Sequence, residues 1–311
     1  MEDDTTTFHY NEYSWNTMAN VLYIESPGGV GFSTCGDTLD CTFDDNTSAQ
    51  DNFVAVMYFL ETLFPEYQSN DLYLSGESYA GIYVPYLFDL MATYLEDNEG
   101  STSVYLPNLK GFMVGNGVTN WQYDTTPAFV EMGFMHGLYD IDLYNSFVDN
   151  DCFSQYSRLS TTLTATCRKN ILKFESLVNK INVYDVYGKC YSAGVTLEES
   201  VPQMYESATS AENERGDELR NVFTAKDYTP FLFERKEELG TKRLMELPPC
   251  TFGQPIIDYL NSDEVMEALH IKAGLPAWDL CTDNIEYVIL DDGSQWIYEK
   301  WIQKGLDDPS K

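Results

Sequence analysis

The run Leu72-Tyr73-Leu74-Ser75-Gly76-Glu77-Ser78-Tyr79-Ala80-Gly81 carries the clearest chemistry in the chain. An apolar, strand-like stretch stops at a small residue. A serine follows, then small residues, then an apolar helical pattern. That order predicts a strand–turn–helix elbow, which lifts the Ser78 hydroxyl to the carboxyl end of a sheet as a nucleophile. Gly76, Ala80 and Gly81 are small because so tight a turn leaves no room for larger side chains. The backbone N–H of Tyr79, next in sequence, is the expected donor to an oxyanion. Glu77 would share the cleft. Ionised, its carboxylate accepts hydrogen bonds. Protonated by desolvation or by a neighbouring acid, it donates one to a substrate's own carboxylate, which predicts activity favouring acid pH.

A serine hydroxyl is a weak nucleophile until a base takes its proton. On such an elbow the partners follow in the order Ser, Asp or Glu, His. Only His136 and His270 lie downstream of Ser78, and His9 precedes it. His136 sits among apolar residues, and His270 lies in the helical stripe of Met266. Both read as structural histidines. A second oxyanion donor would come from a loop upstream of Val21, where too few residues remain to supply it. The Pro27-Gly28-Gly29 loop is a poorer substitute, since it leads straight into the helix before the elbow strand.

The elements that must hold this serine follow from local pattern. Val21–Ile24 reads as a buried strand followed by a Pro/Gly loop. A helix is expected from about Ser48 to Phe64, capped by Ser48 with Asp51 and ended by Pro65. Strand 72–75 and the elbow come next. Pro85 then opens a helix with Leu87, Leu90, Met91, Tyr94 and Leu95 inward. Gly111–Val114 is another buried strand. Alternating strand and helix over 20–120 implies a parallel α/β sheet. Residues 121–245 read as an inserted, mainly helical cap. They show helical spacing in Ile171-Leu172-Lys173-Phe174 and carry the charged run Glu234-Arg235-Lys236-Glu237-Glu238. The expected organisation is therefore a core over 1–120, the cap over 121–245, and a return to the core over 246–311. In that last part Asn261 or Ser262 caps a helix, and Ser294 starts another that stops at Gly305. Such a helix normally leads into a strand, and the sequence is expected to stop one element short.

Composition limits the partners. Hydrophobic residues make up 43% of the 311, so the chain is not disordered, and a large core can be buried. The formal charge of −32 opposes binding to nucleic acid or to an anionic membrane. It suits either plain solubility or an acidic compartment, where protonation relieves self-repulsion. Seven scattered cysteines with no C-x-x-C and only three histidines make a metal site a poor reading, and no cofactor is called for. Disulfides in an oxidising compartment fit better, with one thiol left over. The sequon at Asn46 agrees with secretion. The start, Met1-Glu2-Asp3-Asp4-Thr5, is acidic where a secretory signal would be basic, so a missing N-terminal part is expected.

Several segments together resemble the serine carboxypeptidase family. The elbow Gly76-Glu77-Ser78-Tyr79-Ala80-Gly81 matches its nucleophile signature residue for residue. Tyr13–Asn16 and Asn20–Ser33 resemble the segment before it, and Phe64–Tyr67 and Asn108–Gly117 also match. Val183–Tyr187 and Val265–Ile271 are weaker matches. The resemblance implies an α/β-hydrolase fold with a helical insertion. It implies release of C-terminal residues from peptides in a lysosome, vacuole or secretory route. Ser78 would be the nucleophile, Glu77 the group that binds the substrate carboxylate, and Tyr79 N–H an oxyanion donor. The resemblance suggests the disulfides Cys152–Cys167 and Cys190–Cys250. Cys281 would pair with a cysteine of an upstream segment, and Cys35–Cys41 could close a short loop without clear family support. The family's Gly-rich oxyanion segment before Tyr13, and its Gly-Asp and Gly-His segments after Gly305, are not in the sequence. The expectation is a serine carboxypeptidase homologue whose 311 residues are inert by themselves. The rivals are an acyltransferase on the same scaffold and a non-catalytic binding protein. A homodimer is left open.

Overall fold

The computed structural model describes residues 7–36, 41–156, 163–178, 181–182, 184–187, 254–280 and 285–307. Cys190, Cys250, Cys281, Val183 and the charged run at 234–238 lie outside them. The chain divides into two compact units, one from Met1–Trp121 with Phe252–Lys311, the other from Gln122–Thr251.

Among its described residues the first unit contains two pairs of parallel strands. Strand β1 (Thr42–Asp44) lies beside β4 (Glu286–Val288), and β2 (Leu72–Glu77) beside β3 (Leu109–Gly115). Parallel neighbours need a crossover, and helix α2 (Ala80–Asp97) supplies it between β2 and β3. Helix α1 (Asp45–Tyr58) precedes β2. Val56 and Leu60 meet Leu74 of β2 and Val84, Leu87 and Met91 of α2 in one buried cluster. The β2–β3 ladder pairs Gly76 with Val114 and Glu77 with Gly115, so both strands end at the same level.

Helix α1 opens three residues earlier than the pattern implied. Asp44 and Thr47 form the capping box. Asp44 Oδ1 accepts from Thr47 N–H at 2.7 Å, and Thr47 Oγ1 accepts from Asp44 N–H at 2.8 Å. Ser48 is buried inside the helix instead of capping it. The helix runs on through a wider π turn, Phe59–Leu63, before Pro65, which pushes Phe64 out of the helical region.

Pro85 does not open α2 but sits inside it. Its ring removes the N–H that would meet the carbonyl of Gly81 four residues back. Ser294 replaces that donor, its hydroxyl reaching Gly81 O at 2.5 Å. The helix therefore keeps its proline without an orphaned carbonyl. Ser294 also stands immediately before the helix Gln295–Asp307, where its carbonyl accepts from Ile297 N–H at 3.0 Å. Gly305 lies within that helix and is not its stop. The same helix is tied to α2 by Lys300 Nζ and Trp301 Nε1, which both reach Asp89 Oδ1, at 2.5 and 2.7 Å.

Val21–Ile24 is not a strand. These residues are irregular and 37–76% exposed. An apolar run becomes a strand only when a neighbour completes its ladder, and among the described residues none does. In the short helix Asp263–Ala268, Ser262 stands at the cap position without bonding there. Its hydroxyl turns back to Tyr259 O, and Asn261 is engaged with Ile257 and Trp278.

The second unit is helical among its described residues: Thr126–Met135, Ile141–Asp149, Cys152–Gln155 and Ala165–Val178. Its core is aromatic, with Phe147 and Phe174 fully buried beside Val130, Tyr139 and Ile171. The Cys152–Cys167 disulfide lies in that core. Closing a loop of this length removes about 3 kcal/mol of unfolded-state entropy in the chain-entropy account. The first unit carries its own disulfide, Cys35–Cys41. No helix among the described residues is long and apolar enough to cross a membrane.

Candidate active site

Strand β2 stops and α2 starts with only Ser78 and Tyr79 between them, which forces a sharp reversal. Ser78 takes the strain. Its φ is +61°, a left-handed value that costs a residue with a Cβ roughly 1–2 kcal/mol. Its backbone is held at both ends. The N–H donates to Gly115 O at 3.1 Å, and the carbonyl accepts from Gly81 N–H at 2.9 Å and Val118 N–H at 3.0 Å. The loop after β3 therefore clamps the turn after β2.

Close approach explains the small residues. A Cβ on Gly76 would lie 2.4 Å from Ala80 Cβ and 2.9 Å from Val84 Cγ2. On Gly81 it would lie 2.3 Å from Val118 O. Ser78 is half-buried at the strand ends, and Glu77 beside it is exposed. Among the described residues of this unit neither side chain makes a hydrogen bond, so the hydroxyl and the carboxylate both stand open at the sheet's carboxyl edge.

No histidine of this unit is bonded to Ser78 Oγ. His270 does not continue the stripe of Met266 but follows the helix Asp263–Ala268, at φ +57°. Its N–H meets Glu267 O at 3.0 Å, and Ile271 N–H meets Met266 O at 2.9 Å, which is a Schellman stop with histidine in the place usually taken by glycine. His9 is exposed. In the second unit, His136 ends Thr126–Met135, with ring Nδ1 2.9 Å from Met132 O. In the Pro27–Gly29 loop, Gly29 N–H is already donated to Ser33 O at 3.1 Å. Asn46 is exposed in the first turn of α1.

What lies behind the elbow is not visible in the local sequence pattern. Asp45, the first residue of α1, is fully buried. Its Oδ1 accepts from Tyr79 Oη–H at 2.8 Å and Tyr287 Oη–H at 3.0 Å, and its Oδ2 from Leu290 N–H at 3.0 Å. The start of α1 favours the negative charge. Burial still dominates and raises the carboxyl's pKa, opposed by the hydrogen bonds from Leu290, Tyr79 and Tyr287. Burial likewise pushes the Tyr79 and Tyr287 phenols up, beyond any physiological ionisation. The Tyr79 ring packs edge-on against Tyr83 and Tyr287, with centroids at 4.9 and 5.8 Å, and lies 6.1 Å from Trp121. Trp121 Nε1 donates to Leu290 O at 2.9 Å, and Tyr86 Oη to Gly293 O at 3.1 Å. Residues 287–294 are thereby laced onto the back of the elbow. Only the double acid Asp44-Asp45 hinted at this, and it reads as capping. No group of metal-binding side chains occurs among the described residues.

This elbow sits in a chain that a model of the serine carboxypeptidase family matches over residues 1–308. The chain belongs to that family. It is 34% identical over 291 residues to the lysosomal protective protein of Mus musculus, covering 92% of this chain and 56% of that one. It is 31% identical to serine carboxypeptidase ctsa-4.1 of Caenorhabditis elegans, covering 93% and 55%. The chain thus spans little more than half the length of these relatives. Among solved structures it is similar to Kex1(delta)p, a prohormone-processing carboxypeptidase from Saccharomyces cerevisiae. That similarity has a TM-score of 0.55 at 18% identity and covers 98% of this chain and 58% of that one. The architecture is the α/β-hydrolase fold of the serine carboxypeptidases, with β2, Ser78 and α2 as the elbow.

Proposed function

We propose that this serine carboxypeptidase homologue removes C-terminal residues from peptides through an acyl-enzyme on Ser78. The observation that carries the reading is the positive φ of Ser78 at the β2–α2 junction, held by three backbone hydrogen bonds. Strain of that kind persists where the surroundings enforce it, and here its product is an open hydroxyl at a sheet edge. In the reaction, Ser78 Oγ attacks the scissile carbonyl and a base takes its proton. The Tyr79 N–H steadies the oxyanion, the amine leaves, and water releases the acyl group. Glu77, exposed beside the nucleophile, holds the terminal carboxylate of the peptide through a proton shared between the two carboxyl groups. Residues 121–245 act as a helical cap inserted between the core segments 1–120 and 246–311.

The two disulfides and the exposed Asn46 support a lysosomal, vacuolar or secreted setting, as does the similarity to the murine lysosomal protective protein. The test is release of C-terminal residues from N-blocked peptides by the protein expressed from its complete gene. Ser78→Ala should lose activity by roughly a millionfold, the scale found for serine proteases. Unchanged release by Ser78→Ala would refute the assignment.

A further inference from the structure

The residue that follows the nucleophile is anchored from behind. The Tyr79 phenol crosses to a carboxylate 34 positions earlier in the chain, and the same Oδ1 takes the phenol of Tyr287, 242 positions away from it. The other oxygen of that carboxylate takes the N–H of Leu290. A buried acid at the start of α1 therefore joins the elbow to the segment that follows β4.

We infer that Asp45 is a positioning residue, which holds Ser78 in its left-handed conformation by fixing Tyr79 from the far side of the turn. Its catalytic consequence rests on Ser78 being the nucleophile. The turn's own ties are all to backbone: Ser78 N–H to Gly115 O, and Gly81 and Val118 N–H to Ser78 O. A residue at φ +61° relaxes toward ordinary values unless its neighbours are fixed. The neighbour before it is fixed in the β2–β3 ladder, and the neighbour after it is fixed by its phenol. Asp45 touches neither substrate nor reacting atoms. It acts through Tyr79, whose N–H must point at the oxyanion. Misplacing a reacting group by about 1 Å costs on the order of a hundredfold in rate.

Two phenols on one oxygen give an internal control. Tyr79→Phe keeps the ring and cuts the link to the elbow. Tyr287→Phe keeps its ring and removes a bond from the same oxygen while leaving the Tyr79 phenol on Asp45. Both should lower the melting temperature. In the protein from its complete gene, Tyr79→Phe should lower kcat by roughly ten- to a hundredfold with little change in KM, while Tyr287→Phe leaves kcat within about threefold. Amide hydrogen exchange supplies a readout independent of hydrolysis. The Ser78, Gly81 and Val118 amides should exchange at least about tenfold faster in Tyr79→Phe and in Asp45→Asn, and at the wild-type rate in Tyr287→Phe. A wild-type protein that fails to hydrolyse peptides would sink the proposed function, yet the exchange pattern would still decide for or against the anchor. Equal protection of those amides in wild type and Tyr79→Phe, or equal loss in both Phe variants, would overturn the inference.

Discussion

Replacing Gly81 by alanine should reverse the sign that helix propensity alone gives. Gly81 is the second residue of α2, and glycine to alanine in a helix ordinarily gains about 1 kcal/mol. Here the new methyl would lie 2.3 Å from Val118 O, 2.7 Å from Val118 N and 2.9 Å from Val118 C, all of them backbone atoms. Val118 cannot retreat freely, because its N–H holds Ser78 O at 3.0 Å. Overpacking of this kind costs about 1–3 kcal/mol, and a lost hydrogen bond adds about 1. The expected net is a loss of about 2 kcal/mol, or roughly 4–8 °C in melting temperature for a unit of this size. Gly305→Ala is the control. That glycine is exposed within the helix Gln295–Asp307, and a Cβ there would meet nothing within 4 Å. It should stabilise by about 0.5–1 kcal/mol. Thermal and urea unfolding followed by circular dichroism reads both variants. A Gly81→Ala protein as stable as wild type would refute the close approach of the two loops at the elbow.

Three further outcomes follow from the same contacts. Ser294→Ala leaves Gly81 O without the donor that replaces the missing Pro85 N–H, and should cost about 1–3 kcal/mol. In a Pro85→Ala background the cost should shrink, and strict additivity in this cycle would contradict the substitution of one donor for the other. Asp45 has a raised folded-state pKa, with burial its largest cause, Asp44 adding to it, and its three hydrogen bonds opposing. A raised carboxyl pKa contributes stability that is present below the ordinary value of 3.8 and is lost as pH rises through the folded value. The stability of wild type relative to Asp45→Asn should therefore decline from acid pH toward neutrality, and a rise would mean that the hydrogen bonds outweigh desolvation. The 311 residues purified alone should react with a fluorophosphonate no faster at Ser78 than at an ordinary surface serine, since no histidine of its unit is bonded to its hydroxyl. Rapid labelling would show that a base is already in place.

Much of the elbow was legible because its causes are local. A strand that ends at Gly76, a serine and a run of small residues describe a turn whose neighbours are a few positions apart. Helix starts were harder, because Asp44, Asp45, Asn46, Thr47 and Ser48 are all capping types, and only packing selects Asp44 for the cap. Val21–Ile24 misled because an apolar run says nothing about whether a partner strand lies beside it. Pro85 reads locally as a helix opener, since the hydroxyl that makes it tolerable inside α2 comes from Ser294, far along the chain. Gly305 reads as a stop, but glycine only weakens a helix and need not end it. The anchor behind the elbow was invisible for the same reason as the Ser294 contact. Asp45, Tyr79, Tyr287 and Leu290 meet only through the fold.

Under the proposed function, the backbone bend at Ser78 presents a reactive nucleophile. Its most direct test is fluorophosphonate labelling of the protein expressed from its complete gene, followed by peptide mapping. One modified residue is expected, Ser78, with no labelling in Ser78→Ala. A label on a different serine, or full hydrolytic activity with Ser78 unmodified, would contradict it.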